Sequence, residues 1–144
     1  MSIGAWVVLA ALVVALGLGA FRLVRDGRFR ERRAAPRAER SSVLAGTEWA
    51  DALGERATLL QFSSAFCAPC RATRVVLADV AATTEGITHI EVDAEQHLDV
   101  VRRLGILRTP TTLVLDADGV EVGRASGAAR KEQVLAALAP LGVD

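Results

Sequence analysis

Two cysteines, Cys67 and Cys70, make up the entire thiol content of this 144-residue chain. They sit in FSSAFCAPCRATR (residues 62–74), where an apolar run gives way to a helical pattern. A thiol at the start of a helix faces unpaired backbone N–H groups and the positive helix end, which favour its thiolate. Such a site can bring a thiol pKa from about 8.5 into a range of about 3.5–7.5. The thiolate is the species that attacks a disulfide. Cys70 lies nearly one turn further along the same face, a spacing that lets it resolve a mixed disulfide on Cys67. Pro69 is tolerated in a first turn, where its missing N–H costs nothing. Ala68 keeps the approach open, and Arg71 and Arg74 add positive charge as solvated side chains. Two other readings stand beside redox chemistry. Zinc needs about four ligands, and only Cys67, Cys70, His89 and His97 could supply them, without finger-like spacing. A buried, inert pair would be unusual at a helix start behind a proline. Redox is the reading these residues favour, with no metal and no cofactor beyond the dithiol itself.

The surrounding spacing indicates the elements that hold the pair. Residues 42–47 read as a short extended start, and Thr47 as the cap of a helix through Leu53, with Glu48 and Asp51 in its first turns and Trp49 and Leu53 on one face. Gly54 ends it. Residues 57–62 (ATLLQF) read as a buried strand. The cysteine helix follows, carries Val75, Val76, Leu77 and Val80, and stops near Gly86. Residues 87–92 alternate as a strand. Residues 95–104 are helical, ended by Gly105. Residues 111–115 form a strand, 116–119 a hairpin turn with Gly119 where positive φ is wanted, and 120–124 its partner. The last helix spans 130–139 with Val134, Leu135 and Leu138 as its apolar stripe, and Pro140 follows. The order β-α-β-α-β-α-β-β-α predicts an α/β class with a mixed sheet.

The apolar content, 51%, is concentrated at the N-terminus, where Ile3 to Phe21 is 19 residues without a charge. As a helix at about 1.5 Å per residue it would be roughly 28 Å long, close to a bilayer's hydrocarbon thickness of about 30 Å. It has no polar face and reads as a transmembrane helix. A cleaved signal peptide would need positive charge before its apolar part and a small-x-small site after it. Residues 1–4 carry no Lys or Arg, and Leu18-Gly19-Ala20 is a poor cleavage site. Residues 22–40 hold eight arginines against three acids. The positive-inside rule therefore places the N-terminus outside and the following domain in the cytoplasm. Three segments result: a transmembrane anchor (1–24), an Arg-rich juxtamembrane linker (25–41) and a domain (42–144). The linker could touch anionic headgroups, or merely fix orientation.

The formal net charge of zero hides a split, because residues 41–144 retain nine basic and 14 acidic residues, a net of −5. Nucleic-acid binding by the folded part is excluded on that balance.

The strand-then-CxxC order around Phe66-Cys67-Ala68-Pro69-Cys70-Arg71, the stretch Leu104-Gly105-Ile106-Leu107-Arg108-Thr109-Pro110-Thr111, the Asp118-Gly119 hairpin and Ser126-Gly127 before the last helix together resemble the thioredoxin family over roughly residues 43–141. CxxC alone is moderately specific. With Thr-Pro-Thr about 40 residues later at a strand start, it is strong. The resemblance implies a thioredoxin fold, a mixed sheet flanked by helices, here preceded by one transmembrane helix. It implies Cys67 as nucleophile, Cys70 as resolving thiol, and Pro110 as a cis-proline facing them. Thr109 would offer its backbone to an extended substrate, Gly127 would allow close approach of substrate backbone, and Phe66, Ala68 and Pro69 would border the bound segment.

The chain also departs from that pattern. The family's buried Asp, six residues before the first Cys and the proton acceptor for the resolving thiol, is here Gln61, which cannot take a proton. His89 falls where the family has a lysine paired to that Asp. Phe66 and Ser63 stand where tryptophans are usual, and Ala68 replaces a glycine. Narrower partner choice or slower resolution is expected. His89 could substitute as a base, although a strand histidine is more often a polar surface residue.

The expected function is a membrane-anchored thiol–disulfide oxidoreductase, reducing or exchanging disulfides on protein partners and recharged by an unidentified electron donor. One rival is the same enzyme facing outward, as in envelope or cytochrome-maturation thiol chemistry. Another is a thioredoxin-fold binding module at the membrane with little redox turnover.

Overall fold

The computed structural model describes residues 3–25, 28–31 and 41–143. Helix α1 spans Ile3–Arg25, and residues 4–21 are exposed throughout. Its stretch Gly4–Phe21 is long and apolar enough to cross a membrane, by length and composition. A two-residue strand, β1 (Arg30–Glu31), follows. It falls inside the segment expected to be a linker; residues 26–27 and 32–40 of that segment lie outside the described residues.

The remaining elements are β2 (Ala57–Ser63), α2 (Ala68–Thr83), β3 (Ile87–Asp93), α3 (Leu98–Arg103), β4 (Thr111–Asp116), β5 (Glu121–Ser126) and α4 (Lys131–Leu138), closed by a 3-10 turn at Ala139–Leu141. The sheet runs β1-β5-β4-β2-β3. Only the β2–β3 pair is parallel, as the intervening crossover helix α2 requires; β2–β4, β4–β5 and β1–β5 are antiparallel. This is the thioredoxin fold, a mixed sheet flanked by helices.

Alternation along the central strands divides the core in two. Ala57 and Leu59 of β2 point to one face with Leu77 and Val80 of α2 and Val134 and Leu138 of α4. Leu60 and Phe62 point to the other with Leu44, Val100 and Ile106. Every residue of β2 is buried, as expected of a strand covered on both faces.

Two expectations need correction. Residues 42–53 contain neither an extended start nor an α-helix. They form successive turns whose backbone bonds are each three residues apart: Ala45 N–H to Ser42, Thr47 to Leu44, Ala50 to Thr47 and Ala52 to Trp49, at 3.0–3.2 Å. Thr47 Oγ1 does accept the Trp49 N–H at 3.3 Å, as a cap would. So short a segment does not repay helix nucleation by itself, and its shape is set by Leu44 entering the core with Trp49 and Leu53 beside it. Helix α3 also starts later than residue 95. Asp93 takes the Glu95 N–H on Oδ1 (2.9 Å) and the Gln96 side-chain amide on Oδ2 (2.8 Å), so the chain turns before it coils.

Candidate active site

Strand β2 ends at Ser63 and α2 begins at Ala68, so Cys67 falls at the N-cap and Cys70 in the first turn. The two are joined as a disulfide with Cα atoms 5.1 Å apart. The Cys70 N–H points at Cys67 Sγ (3.1 Å), and the Cys67 carbonyl accepts from Cys70 (3.1 Å) and Arg71 (3.3 Å). Pro69 occupies the first turn without forfeiting a bond, as expected. Cys67 is half-buried and Cys70 is buried, while Ala68 and Pro69 are exposed. One sulfur therefore meets solvent and the other is sheltered behind it.

The Thr109–Pro110 peptide is cis, with Pro110 buried and Thr109 half-buried. A 3.0 Å contact between the Ser64 and Thr109 hydroxyls ties the loop before Cys67 to this turn. Gly127 adopts φ 98°, in the region that favours glycine, and gives its N–H to the Pro110 carbonyl at 2.8 Å. Arg108 reaches the Ser126 carbonyl (3.0 Å), and Thr111 Oγ1 reaches the Arg108 carbonyl (2.8 Å), so both sides of the proline are fixed. Phe66 is wholly exposed and Leu107 is 94% exposed. From the sequence, Leu107 figures only within the Leu104 to Thr111 stretch and is given no role of its own.

Beneath the cysteines lies a polar row at the end of the apolar face formed by Ala57 and Leu59. Gln61, fully buried, donates through Nε2 to the Cys70 carbonyl (3.0 Å) and to Ser63 Oγ (2.8 Å). Its Oε1 faces His89 Nε2 at 3.2 Å. An amide oxygen only accepts, so His89 Nε2 carries the hydrogen, and any further proton goes to Nδ1. Ser63 in turn donates to Glu91 Oε1 at 2.5 Å, and Arg74 grips the same carboxylate. Arg74 stays exposed, as expected of a solvated charge, and in addition pairs with Glu91. Thr112, opposite Gln61 in the β2–β4 register, has a buried hydroxyl without a hydrogen-bond partner among the described residues.

Burial holds the His89 ring below its ordinary value; Glu91 opposes this and Arg74 reinforces it. For Glu91, burial would push the carboxyl up, but the bonds from Arg74 and Ser63 and the charges of Arg74 and His89 outweigh it and hold the group below the usual carboxylate range. An open pocket of about 350 Å³, lined by Ser63, Ser64, Cys70, Arg71, Arg74 and Glu91 among others, lets solvent approach the sheltered cysteine. His97 packs edge-on against Trp49, with ring centroids 4.7 Å apart, away from this row. Among the described residues, no group of three His, Cys, Asp or Glu side chains gathers as a metal site.

The thioredoxin family model matches residues 40–140, and the chain belongs to that family. The chain is 28% identical over 93 residues to a thioredoxin of Chlamydia trachomatis, covering 65% of this chain and 90% of that one. It is 36% identical over 58 residues to thioredoxin domain-containing protein 2 of Homo sapiens, covering 40% of this chain but only 10% of that protein. Among solved structures, the short form of spinach chloroplast thioredoxin f superposes with a TM-score of 0.58 at 23% identity, over 71% of this chain and 92% of that one, and shares the fold. Fold and cysteine pair together support a thiol–disulfide oxidoreductase in general.

Proposed function

We propose that the chain is a membrane-anchored protein-disulfide reductase or exchanger. The observation that carries this is the Cys67–Cys70 disulfide at the head of α2, with the Cys70 N–H already directed at the outer sulfur. Once the pair is reduced, that donor and the helix end stabilise a Cys67 thiolate. The thiolate attacks a substrate disulfide, forms a mixed disulfide and releases one substrate thiolate. Cys70 then attacks Cys67 Sγ, releasing the second substrate thiolate and leaving the intramolecular disulfide. Two electrons pass from the protein dithiol to the substrate, and an external thiol donor resets the pair. Thr109, whose backbone N–H and C=O find no partner among the described residues, can pair with an extended substrate strand beside Pro110. Phe66 and Leu107 would border it with apolar surface, and Ala68 and Pro69 leave the sulfur open.

Gln61 cannot accept the Cys70 proton, and His89 presents an N–H toward Gln61. This row therefore offers the Cys70 proton no acceptor, and the proton leaves to solvent on the side of the pocket that Cys70 borders. Helix α1 would anchor the chain, with the catalytic domain on the cytoplasmic side. The test is reduction of insulin by the full chain with dithiothreitol as donor. Wild type should precipitate insulin, Cys67→Ser should fall to background, and Cys70→Ser should accumulate a mixed disulfide. A thioredoxin-fold module with no turnover would show none of these.

A further inference from the structure

We infer that the sheet's disulfide end is tethered to the membrane, so that the partner is a disulfide carried by a membrane protein close to the bilayer surface. This rests on the proposed anchoring by α1 and on the proposed redox activity. The strand registers carry it. Phe62 of β2 pairs with Thr111 of β4, and Thr111 pairs with Ser126 of β5. Ser63, Thr111 and Ser126 therefore share one end of the sheet, the end from which the chain runs on to Cys67 and where Pro110 sits. Strand β1 is antiparallel to β5, with Arg30 opposite Arg124 and Glu31 opposite Gly123. Residues before Arg30 consequently lie toward Ser126, so the chain coming from α1 enters the domain at the disulfide end. Phe29 packs against the core cluster of Leu77 and Val134, which pins the entry point.

Length then sets the distance. Helix α1 ends at Arg25 and β1 begins at Arg30. Five residue steps span at most about 18 Å, whatever their conformation. Arg124 to Ser126 adds about 7 Å along the strand. Because β1 and β2 are separated by β5 and β4, about 14 Å across the sheet combines with this, and the disulfide stays within roughly 35 Å of the end of α1. A flexible connection running the full length of residues 25–41 would allow roughly 60 Å and no preferred end. Exposed Arg28 and Arg108 sit toward that same end and suit an anionic headgroup layer. A disulfide on a short extramembrane loop fits the gap, whereas a large soluble substrate would have to enter between domain and bilayer. The chemistry is the same two-electron exchange: the substrate S–S bond breaks as the Cys67–Cys70 bond forms.

The test places the full chain in vesicles of phosphatidylcholine and phosphatidylglycerol containing a headgroup-rhodamine acceptor lipid. A donor dye is attached either at Cys67 in a Cys70→Ser variant, or at the cysteine from Ala117→Cys in a chain also carrying Cys67→Ser and Cys70→Ser. Ala117 lies in the β4–β5 turn at the opposite end of the sheet. Given a strand length of roughly 20 Å, energy transfer from Cys67 should exceed that from position 117 by at least about twofold. A Gly/Ser insert of about 12 residues after Arg25 should abolish the difference. Equal transfer from both sites, greater transfer from position 117, or indifference to the insert would overturn the inference. A vesicle-bound chain that reduces insulin but leaves a disulfide-linked headgroup lipid untouched would overturn the assignment of the partner. Failure of the chain to float with vesicles would instead remove the anchor, and failure to reduce insulin would remove the activity; the inference falls with either, and each cause is separately visible.

Discussion

At the scale of single residues, Gln61 sits at the centre of the polar row, at the position where the resemblance to the family implies an Asp. It is fully buried and makes contacts with Cys70, Ser63 and His89 at once. Gln61→Leu keeps much of the volume but leaves the His89 N–H without its acceptor and removes the side-chain donor to Ser63 Oγ and to the Cys70 carbonyl, which sits within α2. A loss of about 1–3 kcal/mol in unfolding free energy is expected from orphaned buried groups, read from urea titrations followed by circular dichroism. Gln61→Asp tests the chemistry. A carboxylate there can accept the Cys70 proton, so the resolving step should accelerate several-fold in quenched-flow alkylation, at some cost in stability because the new charge is buried. No acceleration would mean that the solvent pocket already removes the proton without hindrance. The pH response follows from the neighbours. The folded His89 ring titrates below the ordinary histidine value of 6.5, so the unfolded chain binds the extra proton first and stability declines as pH falls through that value. Glu91, held below the ordinary glutamate value of 4.5, adds stability that is present above that pH and disappears as pH falls through its lowered folded pKa. Urea midpoints should therefore drop in two stages on acidification, and His89→Gln should flatten the upper stage and weaken the lower one, because the His89 charge also helps hold Glu91 down.

At the scale of elements, much of the architecture was legible because period and punctuation agreed. The stretch ATLLQF, the alternating ITHIEV and the Asp-Gly hairpin each mark strands within two residues of their observed ends. Residues 42–53 were not legible, since a cap signal at Thr47 says where a helix may start but not whether tertiary contacts let it continue. Strand β1 was equally hidden, because two residues carry no period and its pairing is decided by the exposed edge of β5. In the site, the cysteines and Pro110 stood out by spacing. The polar row was visible only as separate letters, for nothing local says that Ser63, Glu91 and Arg74 converge with Gln61 and His89 on one face. Gly54 shows how tightly the elements fit: a Cβ there would overlap the Ala57 carbonyl and crowd the backbone at Gly86 and Thr88. Gly54→Ala should cost about 1–3 kcal/mol through a forced backbone shift, read as a lowered urea midpoint at unchanged m-value.

At the scale of the whole molecule, an apolar helix and a thioredoxin domain are joined through an edge strand, and under the proposed anchoring the side of the membrane the domain faces would decide the biology. The positive charge lies entirely after the helix, with eight arginines in residues 22–40 and no Lys or Arg before Ile3. The domain is therefore expected in the cytoplasm, where thiols are kept reduced. Because Cys67 and Cys70 are the only thiols, a membrane-impermeant maleimide reports location and redox state in one gel shift. Labelling that appears only after lysis, without prior reduction, is the expected result and corresponds to a cytoplasmic dithiol poised to reduce. Labelling in intact cells would overturn the charge argument and place the domain in envelope thiol chemistry. A shift that appears after lysis only when reductant is added first would keep the cytoplasmic placement and show the pair held as a disulfide, an oxidant or exchanger in place of a reductase. The proposed tether is indifferent to this choice, since the edge strand would bring the disulfide end toward the bilayer from either side.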